Sequence, residues 1–150
     1  MKLLALLCFS LIPPLAGLFL AQGKRKRFQI RVAFRMMMEE IRFQIREFTK
    51  PQDEILLSFE HPILEAMGLI PAIRRELSVS PCKAFYRALC PFSDQEFFTK
   101  KEWEEILFFA ERFGMQAKKP QLVQCDRLLS LLEKSEKELG GRLEQEVRII

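Results

Sequence analysis

An uncharged apolar run at the N-terminus is the feature that most constrains this chain. The run extends over nineteen residues, from Leu3 to Ala21, and about 20 apolar residues in an α-helix cross the hydrocarbon core of a bilayer. A cleaved signal peptide is the alternative, but the best candidate cleavage residue, Ala21, has the bulky Phe19 two positions before it. We therefore predict an uncleaved transmembrane anchor over residues 1–23. The alternative is a helical protein that is secreted after cleavage near Gln22.

A cluster of four basic residues separates this run from the rest of the chain: Lys24, Arg25, Lys26 and Arg27. Residues 24–46 hold eight basic and two acidic side chains, a net charge of +6, whereas residues 47–150 hold fifteen basic and eighteen acidic side chains, a net charge of −3. Because the basic flank of a membrane segment stays in the cytoplasm, we predict a single-pass protein of the cell membrane with a cytoplasmic domain of residues 24–150. The four basic residues are predicted to set this topology and to contact anionic membrane lipid. Nucleic acid is the less favoured partner, because the apolar run adjoins the basic residues.

Apolar residues after the basic cluster follow helical spacing. Phe34, Met37, Met38, Ile41, Ile45 and Phe48 recur at steps of three and four residues, as on one face of an amphipathic helix. Residues 28–32 and 41–46 also alternate apolar and polar side chains, as strands do. We favour a helix, because residues 36–40 are strong helix formers with no turn residue among them.

Several short patterns divide the middle of the chain into further helices. Thr49 is placed to cap a new helix, with Gln52 three residues later. His61-Pro62 interrupts the next helical pattern, because proline removes a backbone donor. Ser80-Pro81 predicts another helix start, in which the serine hydroxyl caps and the proline takes the first helical position.

The strongest boundary lies at Thr99. Its hydroxyl and the Glu102 carboxylate have the spacing of a capping box, and Phe98 and Trp103 are placed to form a hydrophobic staple around it. Gly114 is predicted to end this helix in a left-handed conformation. The acidic residues of the helix, Glu102, Glu104, Glu105 and Glu111, are interpreted as a solvated face.

The C-terminal part of the chain predicts one long helix that resembles a coiled-coil arm. Its apolar repeat comprises Leu122, Cys125, Leu129, Leu132, Leu139, Leu143 and Ile150. Glu136 and Glu146 interrupt the repeat with polar side chains, and Gly140-Gly141 predicts a hinge or break. We therefore predict an all-α fold in which an antiparallel helical bundle follows the N-terminal transmembrane helix.

Residues that could support catalysis are few. His61 is the only histidine, and a histidine before proline is more often a turn residue than a general base. The cysteines, Cys8, Cys82, Cys90 and Cys125, include no pair with the two-residue spacing of zinc or redox motifs. We predict a protein that is not an enzyme, with no catalytic residue, cofactor, metal or small-molecule substrate; an enzyme that uses His61 or a cysteine is the alternative.

The order of these elements resembles the stage III sporulation protein AB family of endospore-forming Firmicutes. The resemblance covers nearly the whole chain and rests on the N-terminal apolar and basic segments and on Glu40-Ile41, Thr49, Pro51, residues 84–89, residues 106–109, residues 112–115 and Gln121. The family usually has Leu-Gly where this chain has Phe113-Gly114. It also continues into a second membrane segment, which would begin near residues 148–150, so the resemblance implies either further residues or a single-span variant.

The resemblance implies a scaffold in the mother-cell membrane. Its helical cytoplasmic domain would be similar to that of type II secretion platform proteins. Its partners would be the cytoplasmic ATPase, stage III sporulation protein AA, and other stage III sporulation membrane proteins of the channel between mother cell and forespore.

Overall fold

The described part of the chain is built from helices alone. The structure, a computed structural model, describes the backbone of residues 2–149 and the side chains of Leu20 and of residues 22–149. The helices are α1 Lys2–Glu47, α2 Gln52–Ser58, α3 Pro62–Ala66, α4 Leu69–Val79, α5 Ala84–Leu89, α6 Lys100–Arg112 and α7 Lys118–Ile149, with a 3-10 turn over Cys90–Phe92. The predicted all-α class is confirmed. Residues 28–32 and 41–46, whose alternating pattern was also compatible with strands, both lie inside α1, as the favoured helical interpretation predicted.

Helix α1 is 46 residues long and crosses the predicted boundary at residue 23 without interruption. The prediction of a membrane anchor over residues 1–23 falls mainly on side chains outside the described set. Within the part that is described, no helix has both the length and the apolarity required to cross a bilayer.

The second half of α1 forms one wall of the hydrophobic core. Five residues of the predicted apolar face are buried, namely Phe34, Met37, Met38, Ile41 and Ile45. Phe48 was predicted to continue this face, but it is exposed; it lies just past the end of α1 at Glu47 and packs against the exposed Phe43.

Helix α7 runs antiparallel to α1 along most of the bundle. Lys24, midway along α1, pairs with Glu146 near the end of α7, whereas Arg42, near the end of α1, pairs with Asp126 near the beginning of α7. The core residues of α7 are Cys125, Leu128, Leu129 and Leu132. Leu139 and Leu143 are only half-buried, and Ile150 lies outside the described residues.

Two predicted helix starts are wrong. Helix α2 begins at Gln52 and has Pro51 as its N-cap, with an extended ψ of 154°. Lys50 precedes this proline, and a residue that precedes proline avoids the helical region, so the chain stays non-helical past Thr49. Ser80 closes α4 instead of opening α5, since its amide donates to the carbonyl of Glu76.

Other local predictions hold. Thr99 and Glu102 form the capping box, Phe98 and Trp103 pack with ring centroids 5.1 Å apart, and Gly114 has a φ of 80°. The break at Gly140-Gly141 is absent, because α7 is continuous through both residues.

Candidate functional site

The four predicted lipid-contacting residues divide into two stripes along α1. Residues three or four apart share a face of a helix, so Lys24 and Arg27 lie on one stripe with Arg31. Arg25 and Lys26 are consecutive and lie about 100° apart around the helix, but both line the same cleft against α3; this broader face is the second stripe. All four residues of the cluster are exposed.

The first stripe is paired with carboxylates from the bundle. Lys24 Nζ lies 3.1 Å from a Glu146 carboxylate oxygen, and Arg27 Nη1 lies 3.1 Å from Glu96 Oε2. More than half of each of these side chains is exposed, and ion pairs of this kind contribute about 0–1 kcal/mol to stability. The pairs partly neutralise the stripe at the mouth of a cleft of about 480 Å³ between α1, α7 and the segment before α6.

The second stripe lines a different cleft. This cleft, of about 450 Å³, lies between α1 and α3. The residues that line it are Gln22, Arg25, Lys26, Gln29, Ile30, Ile63, Ala66 and Met67. Neither Arg25 nor Lys26 has a carboxylate partner among the described residues, so the positive charge of this stripe remains available.

Arg31 occupies the inner end of the first stripe and is buried. Its Nη1 and Nη2 atoms donate to the two oxygens of Glu102 at 2.8 and 2.6 Å, and Nη1 also donates to the carbonyl of Phe97 at 2.9 Å. The side chains of Arg31 and Glu102 are only 6% and 2% exposed. This bidentate pair joins α1 to the first turn of α6 at the end of the bundle that carries the basic cluster.

Glu102 both completes the capping box of α6 and pairs with Arg31. The Glu102 carboxylate accepts the backbone amide of Thr99 at 2.7 Å as part of the capping box, as well as the two bonds from Arg31. Burial raises the pKa of Glu102, but hydrogen bonding by Arg31, Ser135 and the Thr99 amide, together with the positive charge of Arg31, more than offsets this effect, so the pKa lies below its ordinary value. The interpretation of Glu102 as part of a solvated face is wrong, because a buried arginine faces it.

Aromatic side chains surround this pair and exclude water from it. The guanidinium of Arg31 lies 5.1 Å from the centroid of the Phe98 ring, a cation–π distance. Phe98 also packs against Phe34, with ring centroids 5.2 Å apart. The indole of Trp103 donates to the carbonyl of Gln95 at 3.0 Å, which fixes the loop before α6.

Further ion pairs lie along the seam between α1 and α7. The side chains of Arg35 and Glu136 pair with each other, each about one-fifth exposed, and Arg42 pairs with Asp126. The hydrogen bond that Arg35 donates to Glu136 is the main cause of its raised pKa. Glu136 and Glu146, predicted as polar interruptions of the α7 repeat, are therefore the partners of basic residues on α1.

The described residues that were considered for catalysis, His61, Cys82, Cys90 and Cys125, lie on different segments of the bundle. His61 is the N-cap of α3, where its Nδ1 accepts the amide of Ile63 at 3.2 Å. Cys82 is exposed and Cys125 is buried, and burial raises the pKa of the Cys125 thiol to about 12. Cys8 lies outside the described side chains, and among the described residues no three His, Cys, Asp or Glu side chains are grouped closely enough to hold a metal ion.

Three comparisons with known proteins found no relative of this chain. No protein-family model matches the chain, and neither does any curated protein or solved structure.

The sequence interpretation missed the role of Arg31, which it counted only among the eight basic residues of positions 24–46. A signal was present, because Arg31 continues the helical stripe of Lys24 and Arg27 into the segment where buried residues begin at Ile30. The identity of its partner depends on packing between helices that are far apart in the chain, which helical periodicity does not specify.

Proposed function

We propose that this protein is a non-enzymatic scaffold that is anchored in the cell membrane and presents a cytoplasmic helical bundle to partner proteins. The observation that carries the proposal is the continuity of α1. One helix, Lys2–Glu47, contains the uncharged run, the basic cluster and a wall of the bundle core. A bundle joined to an anchor in this way would be held at a defined distance from the bilayer.

The ion pairs near the basic cluster support this arrangement. Arg31–Glu102 attaches α1 to α6, and Lys24–Glu146 attaches α1 to the end of α7. These contacts begin within two turns of the proposed membrane surface, so movement of α1 would be transmitted to the rest of the bundle. Such coupling is what a platform between membrane components and a cytoplasmic motor requires.

The resemblance to the stage III sporulation protein AB family supplies the proposed process and partners. The protein would act on the mother-cell side of the sporulation channel, where it would bind stage III sporulation protein AA, a secretion-type ATPase, and membrane components of the channel. The fold proposed for the complete unit is a transmembrane helix followed by the bundle, with α7 as its coiled-coil-like arm. No small-molecule substrate or cofactor is part of this proposal.

Co-purification tests the partner. The full chain, extracted in mild detergent, should retain the ATPase at micromolar concentration, while a secretion ATPase from an unrelated system serves as the control. Failure to retain the cognate ATPase, or equal retention of both ATPases, would contradict the proposal.

Extraction of membranes at alkaline pH tests the anchor. The full chain should remain in the membrane pellet, and N-terminal sequencing should find no cleavage near Gln22. A mature chain that starts near Gln22 and is recovered from the medium would favour the alternative, a secreted helical protein.

A further inference from the structure

The basic cluster is not uniform, and its division into two stripes has a functional consequence. Glu146 and Glu96 already accompany Lys24 and Arg27. Arg25 and Lys26 have no carboxylate partner in the part of the chain whose side chains are described. An anionic ligand therefore meets less competition at Arg25 and Lys26 than at the other two basic residues.

The surface beneath Arg25 and Lys26 is apolar. Ile30 is 2% exposed and forms the inner wall of the cleft, and Ile63 and Met67 of α3 form the opposite wall. The amide side chains of Gln22 and Gln29 flank the two cations and supply hydrogen-bond donors. Two cations above an apolar floor form an amphipathic site.

We propose that the cleft between α1 and α3 binds the headgroup of an anionic phospholipid, with Arg25 and Lys26 contacting the phosphate. Arginine and lysine are both effective phosphate ligands, arginine as a planar fork and lysine as a compact charge. The apolar floor accepts the glycerol and first acyl carbons, a contact that a free phosphate ion or a nucleic acid does not need. This inference rests on the proposed membrane anchorage, because the lipid reaches the cleft only if α1 enters the bilayer there.

The binding of individual lipids to the full chain tests the proposal. The full chain in a neutral detergent is titrated with phosphatidylglycerol, and bound lipid is counted by native mass spectrometry. Phosphatidylcholine tests the need for negative charge, and glycerol phosphate tests the need for an acyl chain. Circular dichroism checks that every variant remains helical.

Two variants separate the second stripe from general electrostatic attraction. The first, Arg25→Gln with Lys26→Gln, removes the two unpaired cations. The second removes both ion pairs of the first stripe without changing the net charge, through Lys24→Gln, Arg27→Gln, Glu96→Gln and Glu146→Gln.

Phosphatidylglycerol affinity should fall about tenfold to thirtyfold in the first variant, as expected for two basic residues that contact an anionic headgroup. In the second variant it should stay within about twofold, because each lost cation is accompanied by a lost carboxylate. Equal losses in the two variants, unchanged affinity in the first, or equal binding of phosphatidylcholine or glycerol phosphate would overturn the proposal. If the chain still resists alkaline extraction and still retains the ATPase, such a result would refute the lipid site alone and not the scaffold.

Discussion

The substitution Glu102→Gln tests the structural role of the buried pair that joins α1 to α6. Glutamine keeps an oxygen that can accept the Thr99 amide, so the capping box is largely preserved. It removes the negative charge and one of the two oxygens that Arg31 contacts at 2.8 and 2.6 Å. The perturbation is therefore mainly the loss of a charge partner for a buried guanidinium.

The expected cost follows from burial. The two side chains are 6% and 2% exposed, and removal of one partner from a buried pair costs about 3–5 kcal/mol. An exposed pair serves as the matched control: Glu146→Gln breaks the contact with Lys24 and should cost less than about 1 kcal/mol. Replacement of both buried charges, Arg31→Met with Glu102→Gln, should recover most of the loss, because no unpaired charge remains.

Trp103 provides the assay. It is the only tryptophan in the chain and lies in the same cluster, so its fluorescence reports unfolding of the bundle in urea while the full chain is held in mild detergent. A loss of less than about 1 kcal/mol for Glu102→Gln would refute the reasoning. So would a double variant that is less stable than the single one.

Three further measurements test other features. The Glu102 pKa is below its ordinary value of 4.5 in the folded protein. The ionised Glu102 therefore contributes its full stabilisation above about pH 4.5, and this contribution is lost as the pH falls through the folded-state pKa. Acid titration should destabilise the wild type more than the Glu102→Gln variant, and equal acid sensitivity would contradict this. Gly114→Ala should destabilise the bundle by more than about 1–2 kcal/mol in urea unfolding, because φ is 80° and the added carbon would overlap the side chain of Gln52. Gly141→Ala, whose added carbon meets no atom beyond its own turn of helix within 4 Å, should stabilise α7 by about 0.5–1 kcal/mol. The exposed Cys82 should react with a thiol reagent at pH 8 in the folded protein. Cys125, whose pKa is raised to about 12 by burial, should react only after unfolding. Equal reaction rates of the two thiols would place Cys125 at the surface.

Features that depend on neighbouring residues were predictable from the sequence. The Thr99 capping box and the Phe98–Trp103 staple each involve residues within six positions of one another, and both are present. The apolar face of α1 was predictable for the same reason, because its helical spacing extends over several turns.

Features that depend on competition between local signals were less predictable. Thr49 and Ser80 both have the side chain of a good N-cap, yet neither caps the N-terminus of a helix. Pro51, two residues after Thr49, keeps the intervening Lys50 extended, and the preceding helix α4 uses Ser80 as its C-cap. Sequence rules identify both possibilities without deciding between them.

The candidate site depended on contacts between distant parts of the chain. The basic cluster itself was predictable as a run of like charges next to an apolar segment. Its division into a paired and an unpaired stripe requires the positions of Glu96 on the loop before α6 and Glu146 on α7. Those positions follow from the antiparallel packing of α1 and α7, which the periodicity of either helix alone does not specify.

Recruitment of the ATPase to the membrane tests the central claim most directly. Cells that express the secretion-type ATPase with or without the full chain are fractionated, and the share of ATPase in the membrane pellet is measured. If the chain is an anchored scaffold, the ATPase moves to the membrane fraction only when the chain is present. An ATPase that stays soluble in both cases, although the chain itself is in the pellet, would contradict the account.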